Sequence, residues 1–175
     1  MKLSFSVILF NISLFLFTSN LGAETINPQK DNFKLETYFS GKTKAWGIIE
    51  NRFGKNKFTH FKVDIIGSWD GETLTLEEDF LYSSGRTDRR VWKIKKNGEH
   101  SYVGTASDVI GEAHGNIVGN KFSWQYYMKL PIGKNGIKVK LDDKMWLQND
   151  GVLINNAKIK KFGVKFADLT IFFIK

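Results

Sequence analysis

Thr73-Leu74-Thr75-Leu76-Glu77-Glu78-Asp79-Phe80 runs toward Ser84-Gly85 and is answered by Arg89-Arg90-Val91-Trp92-Lys93-Ile94-Lys95. Both stretches alternate with period two. Leu74, Leu76, Glu78 and Phe80 share one face against Thr73, Thr75, Glu77 and Asp79, and Arg90, Trp92 and Ile94 share one face against Val91, Lys93 and Lys95. Such alternation is the signature of a strand with one buried side. A turn at Ser84-Gly85 folds the two strands into a hairpin, which makes Glu78 and Arg90 cross-strand neighbours on the inner face.

The same grammar repeats outward in both directions. Asp70-Gly71, Asn97-Gly98, Gly119-Asn120, Asn135-Gly136 and Asp150-Gly151 are further turn dipeptides at intervals of about a dozen residues. Between them Trp124, Tyr126, Met128 and Leu130 alternate, as do Ile137, Val139 and Leu141 against Lys138, Lys140 and Asp142. The spacing predicts an all-β, antiparallel, up-and-down meander of about nine or ten strands over residues 43–175. Pro28 and Pro131, the only prolines, fall outside the strand interiors. A meander this long leaves two free edges, and Val164 to Ile174 is apolar enough to aggregate if one edge were exposed. Closure into a barrel removes both, so the last strand is expected to pair with the first, around Lys44 to Glu50. A two-sheet sandwich is the alternative. Asn32 to Gly41 reads as a short helix or a cap across one mouth.

The N-terminus reads differently. Met1 and Lys2 precede an apolar stretch, Leu3 to Phe17, and then the small and polar run Thr18-Ser19-Asn20-Leu21-Gly22-Ala23 ahead of Glu24. This is the layout of a cleaved signal peptide over residues 1–23, too short and too polar at Asn11 for a spanning helix. The expected organisation is a signal peptide at 1–23, an N-terminal arm or cap at 24–42 and the barrel domain at 43–175. The chain has no cysteine, so neither a disulfide nor a lipid-modified cysteine is available. A periplasmic, non-lipoprotein form follows as the expectation, with the core held by packing of its many aromatics, although some of the chain's 15 Phe sit in the signal peptide.

Catalytic chemistry finds little support. His60, His100 and His114 have no metal-ligand spacing. Ser107, His114 and Asp108 form a nominal nucleophile set with no elbow motif around it, and Glu78 with Asp142 is a carboxylate pair of unknown separation. Of the neighbours Asp142 and Asp143, at most one can turn inward. Gly104 to Gly115 is rich in small residues but lacks a phosphate loop's Gly-Lys-Ser/Thr ending. It marks either close backbone approach or space opened in the lumen. No catalytic residue, metal or cofactor is assigned. The net charge of +8 comes from dispersed lysines, among them Lys93, Lys95, Lys138 and Lys158. They read as a solvated outer face, with peripheral contact to an anionic envelope surface as the sharper reading and no role in nucleic-acid binding.

Several runs, in order, resemble a proteobacterial family known only as a domain of unknown function. They are Tyr38-Phe39-Ser40-Gly41-Lys42-Thr43-Lys44-Ala45-Trp46-Gly47, Trp69-Asp70-Gly71, Arg89-Arg90-Val91-Trp92, Asp142-Asp143-Lys144-Met145-Trp146 and Lys161-Phe162-Gly163-Val164. The resemblance implies a lipocalin-like barrel of the cell envelope, often lipid-anchored in relatives. The residues themselves point to a monomeric barrel holding a small apolar or amphipathic ligand, such as a lipid or fatty acyl group, in an aromatic lumen. Trp46, Glu78, Phe80, Arg90, Trp92, Tyr126 and Trp146 are the expected lining, with Glu78 and Arg90 as its polar pair. The alternatives are a packed lumen in a structural or interaction protein, or an enzyme acting on a lipid or sugar derivative.

Overall fold

A computed structural model describes residues 33–55 and 57–175. The expected signal peptide, and residues 24–32 of the expected arm, lie outside the described residues. One short helix, α1 (Leu35–Phe39), precedes ten antiparallel strands. These are β1 (Gly41–Asn51), β2 (Phe58–Trp69), β3 (Thr73–Tyr82), β4 (Thr87–Lys96), β5 (Ser101–Thr105), β6 (Val109–Val118), β7 (Lys121–Leu130), β8 (Ile137–Leu147), β9 (Leu153–Lys161) and β10 (Val164–Ile174).

Each strand pairs with its sequence neighbours, and β10 returns to β1, so the sheet is a closed up-and-down barrel and not a sandwich. The closing ladder runs from Lys44 opposite Ile174 to Asn51 opposite Ala167, which removes the apolar edge. All six turn dipeptides fall between strands.

The connections sort the barrel into two ends. α1 packs against β2 and β3 at one of them. Tyr38 donates its hydroxyl to the carbonyls of Gly151 and Phe173, at 3.1 and 3.0 Å, and burial pushes that phenol up to about 12. Glu36 accepts from Lys96 Nζ at 2.6 Å and from the Tyr102 hydroxyl at 2.7 Å. Burial alone would raise the Glu36 carboxyl, but these two donors outweigh it and hold the group below its ordinary value. Leu35 and Phe39 are buried beneath this frame. The helix is therefore a plug, and the barrel opens at the opposite end, where the β1–β2, β3–β4, β5–β6, β7–β8 and β9–β10 connections lie.

Candidate ligand site in the barrel lumen

Alternation places one residue in two on the inside, and the plug leaves the interior accessible from one mouth. Between them lies a cavity of about 710 Å³, within the range of about 300–1,000 Å³ typical of small-molecule sites. Its floor is Leu35 and Phe39. One wall is apolar: Val63 and Ile65 of β2 and Leu169 and Ile171 of β10, with Phe61 and Phe80 facing each other at 5.9 Å between ring centres. The other wall carries the aromatics Trp92, Trp124 and Tyr126, with Trp92 and Trp124 centred 4.6 Å apart.

The buried charged groups lie on that second wall, while Asn51, Thr59, Arg86 and Lys129 add polar groups elsewhere in the lining. Glu78 and Arg90 are direct cross-strand partners, and Arg90 Nε donates to Glu78 Oε2 at 2.8 Å. A second guanidinium nitrogen, Nη1, lies 3.5 Å from Asp108 Oδ2. The guanidinium also sits over the Phe80 and Trp92 rings, at 5.3 and 5.4 Å. Burial alone would lower the Arg90 pKa, but Glu78, Tyr126 and Asp108 around it together raise it, so this cation is permanent. Asp143 is buried and accepts from Trp124 Nε1 at 3.2 Å and from Asn155 Nδ2. Removal from water pushes its carboxyl up to about 6, against the two donors that favour the anion. Burial likewise raises the Tyr126 phenol, and the charge of Asp143 adds to the effect.

Two acceptors in this wall have no partner: Asp108 Oδ1 and Asn155 Oδ1. The Asn155 amide cannot be turned round to cure this. Its Nδ2 faces the Asp143 carboxylate and the Lys144 carbonyl, both acceptors. The inner part of the wall therefore presents three carboxyls, one cation and unmatched acceptors, with its Trp124 and Asn155 N–H groups already engaged, and the exposed Arg86, Arg89 and Lys129 add cations toward the mouth.

Of the expected lining residues, Glu78, Phe80, Arg90, Trp92 and Tyr126 are brought together around the cavity. Trp46 and Trp146 are corrected to the outer wall. In β1 the inward positions are Thr43, Ala45 and Gly47, and a Cβ on Gly47 would lie 2.1 Å from the Phe61 ring. Phe61 occupies the space an inward Trp46 would need. In β8 the inward phase belongs to Val139, Leu141, Asp143 and Met145, which turns Trp146 out. The two indoles join an external row, since Trp46 pairs with Phe172, Phe172 with Ile154 and Ile154 with Trp146.

Of the two reasons considered for the small residues at 104–115, close approach is the one that applies to two of its glycines. Neither Gly104 nor Gly115 opens the lumen, because added Cβ atoms would lie 2.8 and 2.5 Å from Trp124. The nominal Ser107–Asp108–His114 set does not assemble, since His114 is on the exterior beside Glu112 at 3.6 Å. Asp142 is on the outer side, 3.5 Å from Lys160, so Glu78 has no partner there. Asp108, Asn155 and Phe61 were missed; Phe61 and Asn155 do alternate in phase with their strands, but Asp108 sits in a turn and no periodic signal could mark it.

The geometry is that of an antiparallel barrel plugged at one end, with a lumen of mixed apolar and charged lining open at the other. By sequence the chain belongs to the family described as "Protein of unknown function (DUF3833)", whose model matches residues 13–175. No curated protein matches it significantly. Among solved structures it is similar to an S-type phycobiliprotein lyase from Guillardia theta, at 9% identity with a TM-score of 0.55, covering 79% of this chain and 87% of that one. At that identity the likeness is one of fold.

Proposed function

We propose that this protein holds a small amphipathic molecule, with a lipid or fatty acyl chain as its apolar part, in the barrel lumen. The observation that carries the reading is the 710 Å³ cavity itself, apolar on the β2 and β10 side and polar around Arg90 and Asp143. A packed structural barrel has no use for such a volume, because empty apolar space destabilises a core. The unmatched groups sharpen the reading. In the depth of the lumen Glu78, Asp108 and Asp143 stand around the single cation Arg90, the cavity's other cations, Arg86, Arg89 and Lys129, being exposed residues toward its mouth, and the free atoms Asp108 Oδ1 and Asn155 Oδ1 are acceptors. The head group that fits brings hydrogen-bond donors, as an amine, hydroxyl or amide does, and a free carboxylate is disfavoured.

Native mass spectrometry of the protein purified from its own cells tests this. A bound species of lipid-like mass is expected, and an empty barrel sinks the reading. Matched dodecylamine, dodecanol and dodecanoate then rank head groups, with the carboxylate expected to bind weakest.

We also propose that the protein is exported and released into the periplasm, on the strength of the leader-like residues 1–23 and the absence of cysteine. N-terminal sequencing should read from Glu24; a start at Met1 refutes it.

A further inference from the structure

We propose that the open mouth docks on an anionic lipid bilayer, so that ligand passes between membrane and lumen without crossing water. The passage of ligand rests on the lumen reading above; the docking does not. The charges of the connecting turns are divided between the two ends. At the mouth, the turns carry Arg52, Lys55 and Lys57 (β1–β2), Arg86 (β3–β4) and Lys134 (β7–β8), all exposed. The one acidic side chain in those turns, Asp108, points inward to Arg90. At the plugged end, the turns carry Asp70, Glu72, Glu99 and Asp150 and no lysine or arginine. The turns are therefore biased toward positive charge around the entrance, where Asp88 offsets Arg86 at 3.4 Å, while at the plugged end Lys95 offsets Glu72 at 2.5 Å. An anionic surface aligns such a molecule mouth-first, at ranges set by the Debye length.

Apolar side chains at the mouth end stand out into solvent. Phe162 is 94% exposed, and Phe53, Phe58, Val164 and Ile132 are each about half exposed or more. They project from or flank three separate turns, β1–β2, β7–β8 and β9–β10. Phe162 also has a φ of 50°, followed by Gly163 at 80°. The left-handed conformation costs an L residue roughly 1–2 kcal/mol, and Asn or Gly is the ordinary occupant of such a two-residue turn. A bulky phenylalanine in that place, strained and wet, is explained by what it touches outside the chain. Aromatic tips interleaved with basic residues match a lipid interface, where rings enter below the head groups and cations meet lipid phosphates.

The test is co-sedimentation of the full chain with vesicles of phosphatidylcholine, with and without about 30% phosphatidylglycerol. Binding to the anionic vesicles alone, weakened by salt, is expected. The double variant Phe53→Ser/Phe162→Ser should lose roughly tenfold or more in vesicle affinity, and Trp46→Ala/Trp146→Ala on the side wall should bind unchanged. Both surfaces lie outside the core, so circular dichroism should report a fold common to all variants. Equal binding by the rim variant overturns the proposal and transfers membrane affinity to another part of the chain. A dimer that dissociates in the rim variant also overturns it, in favour of an interface between copies. Capture of an envelope protein through the rim, with no vesicle binding, overturns it in favour of a protein partner. Cargo is scored separately by native mass spectrometry. A barrel that is empty yet binds vesicles through its rim supports docking and refutes the lumen reading.

Discussion

Asp143 is where the chemistry of single residues is most exposed to experiment. Its carboxyl titrates near 6 in the folded protein, against about 3.9 when the chain is unfolded. The native state therefore binds this proton more tightly, and the sign follows: its contribution is complete below about pH 4 and is lost as pH rises through about 6. The full span is about 3 kcal/mol. Urea unfolding of wild type and Asp143→Asn, at about pH 4.5 and about pH 8, should show wild type gaining on the variant at the lower pH. A difference that does not move with pH refutes the raised carboxyl. Residues of this kind are half legible in a sequence. That only one of Asp142 and Asp143 faces inward follows from the period of a strand, but which one depends on the phase, which packing sets. The same ambiguity hid the outward turn of Trp46 and Trp146: aromatic bulk argues for burial, yet Gly47 gives the inner position to Phe61 from the neighbouring strand. Glu78 and Arg90 were readable because the hairpin turn lies between them at equal distances, so register and phase came together.

Among the elements, α1 depends on one glycine. A Cβ on Gly67 would lie 1.8 Å from the Phe39 carbonyl oxygen, which is backbone and cannot swing aside. Gly67→Ala should therefore lift the plug from β2, breaking the Tyr38 bonds to Gly151 and Phe173 and opening the floor of the lumen. A loss of about 2–4 kcal/mol is expected, with faster amide exchange over Leu35–Phe39, and an unchanged melting temperature with intact protection defeats this account. Gly104→Ala is a useful contrast, because there the added methyl meets the edge of the Trp124 ring, a side chain. The strands themselves were legible from alternation and turn dipeptides. The helix was legible only as one of two options, a short helix or a cap, since five residues are too few for a helical period to register. The β1–β2, β5–β6 and β9–β10 connections carried none of the expected turn dipeptides; the last is made by Phe162-Gly163.

Closure belongs to the whole molecule, and so does its folding order. Nine of the ten strand pairings join sequence neighbours, and the tenth joins β1 to β10, as with Lys44 opposite Ile174. Loop-closure entropy rises with the separation of the paired segments, so the hairpins are cheap to form and the seam is not. The seam is also where little is gained until the rest is in place, because Phe173 packs against Phe39 of the plug at 5.5 Å. We therefore predict that the β1–β10 ladder forms after the rate-limiting step. Phe173→Leu should destabilise by about 1 kcal/mol, enough for a reliable ratio, and should do so by speeding unfolding while the refolding rate stays near wild type. Leu76→Ala, buried in the β3 wall of the local β3–β4 hairpin, is the comparison and should slow refolding. Chevron plots of both variants decide the matter. If Phe173→Leu slows refolding in proportion to its full equilibrium cost, the seam is already closed in the transition state and the barrel is assembled around its longest-range contact.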